Sequence, residues 1–128
     1  MKLSFRVPGS PVPSPRPRFT RTGKSTAYHS REYHDYRSLV RDVAQLTCMK
    51  IRQWPKESCE YDVSLHFTHK DRKRRDLDNL AKTILDALNG AVWKDDSQVS
   101  RLLLTRDVNR TAVGVSVCVS VMEEKNAS

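Results

Sequence analysis

The sequence predicts a small α+β domain: a mixed or antiparallel sheet with two main helices packed on it. Three observations carry this expectation. The chain has 128 residues, a length that one hydrophobic core can serve without disulfides. Four segments read as strands and two repeat their apolar residues at helical spacing. Their order is strand, long loop, helix, strand, helix, strand, strand, with no internal repeat, so 1–128 is expected to be a single domain.

The elements follow in chain order. Leu3, Phe5 and Val7 alternate with polar residues, and Pro8–Gly9 ends that strand. Residues 8–28 hold five of the six prolines together with Arg16, Arg18, Arg21 and Lys24. Such a run cannot be a helix interior, so it reads as an extended loop, either a solubilising linker or a functional segment. Ser30 is placed to cap a helix reaching Lys50 or Ile51, with Tyr33, Tyr36, Val40, Val43 and Leu46 as its apolar stripe. The tyrosines are expected in the core rather than as base-stacking platforms.

Tyr61, Val63, Leu65 and Phe67 form a strand with one buried face. Leu77, Leu80, Ile84 and Leu88 mark the second helix, and Asn89–Gly90 its stop. Val99 to Asp107 reads as a third strand. Val113, Val115, Val117, Val119 and Val121 give the most regular alternation in the chain, so Cys118 on the other face needs no chemical role. Residues 123–128 are expected to fray.

The formal net charge is +8 and the pI about 9.7, which makes polyanions the first partners to consider. Cys48, Cys59 and Cys118 are far apart and odd in number, which argues against a disulfide framework and a zinc site. His29, His34, His66 and His69 are too scattered for a metal cluster. No apolar run approaches the ~20 residues of a membrane span, and MKLSFRVPGSPVP lacks a signal-peptide core. A cytoplasmic protein, nucleoid-associated when bound to DNA, is expected.

The informative stretch is RRDLDNLAKTILDALNGAVWKDDSQV, Arg74 to Val99. It continues a basic run begun by Lys70, Arg72 and Lys73, yet places Asp76, Asp78, Asp95 and Asp96 beside it. Residues two apart point about 200° apart around a helix but the same way in an extended backbone. An extended or capping conformation where strand meets helix lets Asp76 and Asp78 face one point while Leu77 turns inward. Two carboxylates held together need a cation between them, and hard oxygen ligands suit Mg²⁺ or Mn²⁺. Asp78, Lys82 and Asp86 also share a helix face, so a capping aspartate followed by a salt-bridge ladder is the plain alternative. The spacing further raises the expectation that the loop after the helix returns Asp95 or Asp96 to the helix N-terminus.

This stretch resembles the signature of the RusA-like Holliday junction resolvases, small endodeoxyribonucleases often carried by prophages. Basic residues, DLDN, a lysine four beyond the second Asp, LDALNG and a W–DD–QV block match in order. The PxPRPRF loop, Pro13 to Phe19, and the closing strands fit the same layout. The resemblance implies that Asp76, Asp78 and Asp96 bind the catalytic metal and that Lys82 serves catalysis. One spacing difference before the DD pair keeps Asp95 in view as the third ligand. The resemblance also implies a homodimer acting with Mg²⁺ or Mn²⁺ on four-way junction DNA in recombination and repair. Arg16, Arg18, Lys24, Lys70, Arg72, Lys73, Arg74 and Arg75 are then the expected DNA-binding residues. The rival readings are a non-catalytic DNA-binding protein and a nuclease for other branched DNA.

Overall fold

The computed structural model describes residues 1–15, 30–57 and 59–122, with the strand pairing of 18–19 and 25–26. Strand β1 covers Lys2–Pro8. A two-residue ribbon, β2 (Arg18–Phe19) with β3 (Ser25–Thr26), lies inside the proline-rich segment. The ribbon adds to the extended loop expected there, since strands this short leave no periodicity to detect. Helix α1 spans Arg31–Met49, β4 Tyr61–His69, α2 Leu77–Leu88, β5 Val99–Val108 and β6 Gly114–Val121. Residues 123–128, expected to fray, lie outside the described residues, as do Arg16 and Lys24.

The main sheet has the order β1-β6-β4-β5. β6 pairs antiparallel with β1 and β4. β4 and β5 run parallel, from Tyr61 beside Val99 to His69 beside Val108. The sheet is therefore mixed, and β4–α2–β5 is a crossover unit in which the helix returns the chain to the start of the sheet. At the β1–β6 edge Gly114 is required for close approach: an added Cβ would sit 2.5 Å from the Val7 carbonyl oxygen.

One core fills the space between sheet and helices. Val63, Leu65 and Phe67 of β4 and Val115, Val117 and Val119 of β6 meet Tyr36, Val40 and Ala44 of α1 and Leu80, Ile84 and Leu88 of α2. Each such aliphatic chain contributes about 1.5–3 kcal/mol on full burial. Both tyrosines of the predicted α1 stripe are buried, as is Val40, but Leu46 is 60% exposed. Six residues past Val40 is some 240° around the helix, and Ala44, at four, takes the inward place instead. Ser30 caps α1 by accepting from the Tyr33 amide at 3.2 Å. Asn89 closes α2, and Gly90 follows at φ +80°.

Beyond α2 the chain packs tightly. Trp93 donates to Asn89 Oδ1 at 2.7 Å, and Trp54 donates to the Val92 carbonyl at 2.8 Å. Tyr61, whose hydroxyl donates to the Pro55 carbonyl, lies between the two indoles. This aromatic cluster marks the end of the sheet where β4 and β5 begin.

Candidate active site

The opposite end, where β4 and β5 finish, carries the basic run. Lys70, Arg72, Lys73 and Arg74 are exposed. Arg75 is spent on the loop itself: it pairs with Asp71 at 2.9 Å and donates to the Lys73 carbonyl at 2.9 Å. Asp71 also accepts from the Lys73 amide at 3.0 Å, and that bond, with Arg75, holds its carboxyl below the ordinary range. Arg106 of β5 donates to the Arg75 carbonyl at 3.3 Å, tying the loop to the strand end. The loop is thus a braced turn that presents its other cations outward.

The turn feeds straight into α2. Asp76 is the N-cap residue, extended at φ −81°, ψ 111°, and its side chain makes no capping bond. Leu77 packs against the core, and Asp78 stands exposed in the first turn. Lys82, one turn later, is also exposed. No ion pair joins Asp78, Lys82 and Asp86, so the ladder of the alternative reading is not formed. A helix N-terminus at the carboxyl ends of parallel strands is suited to phosphate, since its amides and dipole favour anions. Beside it lies a cleft of about 490 Å³ lined by Pro11, Pro13, Lys73, Arg74, Asp76 and Asn79, among others.

Asp96 is elsewhere. It opens a 3-10 turn, Asp96–Gln98, that leads into β5 beside the start of β4. The twelve residues of α2 separate it from Asp76 by about 18 Å of helix rise. The expected return of Asp95 or Asp96 to the helix N-terminus is therefore corrected. α2 is a crossover between parallel strands, so its far end and the loop after it sit at the start of the sheet. Among the described residues, no group of three or more His, Cys, Asp or Glu is placed to share an ion.

The two DD carboxylates differ. Asp95 caps the 3-10 turn, accepting from the Ser97 amide at 3.1 Å, and hydrogen bonds from Ser97 hold its carboxyl below the ordinary range. The Asp96 carboxylate has no hydrogen-bond or ion-pair partner among the described residues. Asp95 is committed locally and Asp96 is available.

The family model of endodeoxyribonuclease RusA matches residues 8–120. The chain belongs to the RusA endodeoxyribonuclease family. That match covers the basic turn, both aspartate pairs and the main sheet except most of β1 and the last residue of β6. No curated protein matches the chain significantly. RusA membership brings an endodeoxyribonuclease acting on Holliday junctions. Among the described residues no helix is long and apolar enough to cross a membrane.

Of the residues singled out for a RusA-like site, one chain brings together Asp76, Asp78, Lys82 and the basic turn. Arg18 enters only as a strand residue of β2, while Arg16 and Lys24 are not described. Asp76 and Asp78 fit a hard cation: one or two carboxylates plus substrate phosphates are the usual Mg²⁺ set. Two further side chains were missed from sequence. Asn79 clasps the proline segment at Ser14, and Gln98 clamps the DD turn. Gln98 was legible, since D-x-x-Q over 95–98 is a capping-box signature. Asn79 left no local signal.

Proposed function

We propose that this RusA-family chain resolves Holliday junctions as a homodimer by paired, symmetric, metal-dependent phosphodiester cleavage. The observation that carries the reading is the carboxylate pair at the α2 N-terminus, set beside the exposed cations of the 70–74 turn. The cations attract phosphate. Asp76 and Asp78 are the proposed ligands of Mg²⁺, with Mn²⁺ as a substitute. When bound, the metal polarises the scissile phosphate and lowers the pKa of water. Lys82, exposed on the same helix face as Asp78 and without an ion-pair partner among the described residues, is assigned to charge developing on the phosphate or leaving oxygen. Arg75 acts through the turn it braces.

Asp96 is proposed as the third ligand, supplied across a two-fold axis. β5 is an edge strand of ten residues, with Leu103 45% and Val108 46% exposed. A long edge with apolar side chains invites pairing with another strand. Two β5 strands running antiparallel set the start of one beside the end of the other. That arrangement carries the partner subunit's Asp96 toward Asp76 and Asp78. It also yields two symmetric sites, which paired cutting needs, in the commonest closed assembly. The proposed setting is DNA recombination and repair in a cytoplasmic protein.

The test is cleavage of a labelled four-way junction beside duplex, flap and single-strand-branch controls, with Mg²⁺ and with EDTA. Symmetric cuts on the junction that EDTA abolishes support the reading. Binding without cutting turns it to a non-catalytic protein, and preferred cutting of flaps to another branched substrate.

A further inference from the structure

Gln98 makes four side-chain hydrogen bonds from the turn that holds Asp96. Its Oε1 accepts from the amides of Lys94 at 3.0 Å and Asp95 at 3.1 Å. Its Nε2 donates to the carbonyls of Lys56 at 3.1 Å and Cys59 at 3.0 Å. A primary amide has two acceptor sites and two N–H donors, so all of its capacity is used. The orientation is fixed chemically, because the flipped amide would set donors against donors and oxygen against oxygen. The partners lie on two separate segments, the DD turn and the stretch before β4. The single Lys94 N–H is shared between Gln98 Oε1 and the Lys56 carbonyl, the latter at 3.1 Å, so it bridges the two segments. Asp95 is consumed within the turn, which leaves Asp96 as the carboxylate whose direction this clamp determines.

We propose that Gln98 is a positioning residue for metal binding: it locks the Asp95–Asp96 turn against Lys56 and Cys59 and so fixes the direction in which Asp96 leaves the subunit. The inference rests on Asp96 being a ligand. A three-residue turn has little regular structure to hold it. A ligand that must cross an interface gains affinity only if its backbone is already in place. Groups that orient metal ligands from behind are worth tenfold to a hundredfold in affinity. Glutamate at this position would keep both acceptor bonds but turn a second oxygen toward the carbonyls of Lys56 and Cys59. Alanine would release all four bonds.

The test is calorimetric titration of the full chain with Mn²⁺ alone, well below the melting temperature of each variant. Gln98→Ala should raise the dissociation constant about tenfold to a hundredfold and speed hydrogen exchange at the Lys94 and Asp95 amides. Gln98→Glu should weaken Mn²⁺ in the same direction, and it answers the question if the alanine variant does not fold. In the double variant with Asp96→Asn the Gln98 change should add no further loss, because its effect passes through Asp96. A clip that only stabilises the fold would lower melting and leave Mn²⁺ affinity unchanged; that result overturns the proposal. Should Asp96→Asn alone leave Mn²⁺ affinity unchanged, the ligand reading falls, and this inference with it. If Asp96→Asn weakens Mn²⁺ while both Gln98 variants bind as wild type, only the inference falls.

Discussion

Asn79 and Ser14 exchange two hydrogen bonds: the Asn79 side chain donates to the Ser14 carbonyl at 2.9 Å, and the Ser14 amide donates to the Asn79 carbonyl at 3.3 Å. Ser14 is buried by the contact. The proline segment is thereby pinned to the first turn of α2, next to Asp78. Asn79→Ala removes the side-chain bond and leaves a half-buried carbonyl short of a donor. A loss of about 1 kcal/mol is expected, or about 3–5 °C in melting temperature for a chain of this size. Junction affinity should fall as well, since the segment leads into Arg16 and Arg18. Unchanged melting and binding would show that water replaces the clasp at no cost.

Asp76→Asn and Asp78→Asn should each abolish cutting and spare junction binding. Each removes a negative charge beside bound phosphate, so affinity should hold or rise. Gel-shift and single-turnover assays on one preparation measure both quantities. Residual cleavage at saturating Mg²⁺ would remove that residue as an essential ligand.

Complementation separates a shared site from a self-contained one. Asp78→Asn and Asp96→Asn proteins should each be inactive alone. Mixed and allowed to exchange, they form heterodimers in which one site draws both carboxylates from unmutated positions. These should nick junctions on one strand without paired cutting. Heterodimers that stay inactive would place the whole ligand set within one chain, and an Asp96→Asn protein that cuts on its own would remove Asp96 from the set.

Arg74 and Arg75 should behave differently. Arg74 is exposed, and Arg74→Ala should reduce the salt slope of binding by about 0.9 for one lost phosphate contact. Arg75 is held by Asp71 and the loop carbonyls. Arg75→Ala should lower affinity together with melting temperature, and Asp71→Asn should reproduce the melting loss. Equal salt slopes and equal melting for the two arginine variants would remove the distinction.

His69 carries a pH dependence. It is buried at the end of β4, with Nε2 lacking a hydrogen-bond partner among the described residues. Burial, then the nearby Arg75 and Arg106 guanidinium groups, hold its pKa below the ordinary 6.5. As pH falls below 6.5 the unfolded chain takes up this proton first. Its contribution to stability is therefore intact above 6.5 and is lost as pH falls through the folded-state value. Urea midpoints at pH 5 and 7 should differ more for wild type than for His69→Phe. An identical difference would assign the slope to other groups.

What the sequence disclosed follows from the range of its signals. Period-two runs such as Val115–Val119 and the helical spacing of Leu80, Ile84 and Leu88 report on a local face, and those faces are buried as expected. The extended backbone at Asp76 and the inward turn of Leu77 were legible for the same reason. Whether β5 pairs parallel or antiparallel to β4 has no local signature, and that choice decides which end of the sheet holds Asp96. Leu46 misled because apolar character is only one requirement for burial; angular position is the other. His69 read as one of four scattered histidines, although it extends the inward alternation of β4 by one more step.

Both tryptophans of the chain pack against Tyr61: Trp54 stacks on it with ring centroids 5.8 Å apart, and Trp93 meets it tilted at 5.6 Å. They belong to the end of the sheet that bears Asp96, and the end bearing Asp76 and Asp78 has none. The molecule is optically lopsided. Indole emission should register events around the DD turn and stay dark to phosphate arriving at the α2 N-terminus. An emission change that needs the second subunit would time the closing of the interface separately from the capture of DNA, without any added label.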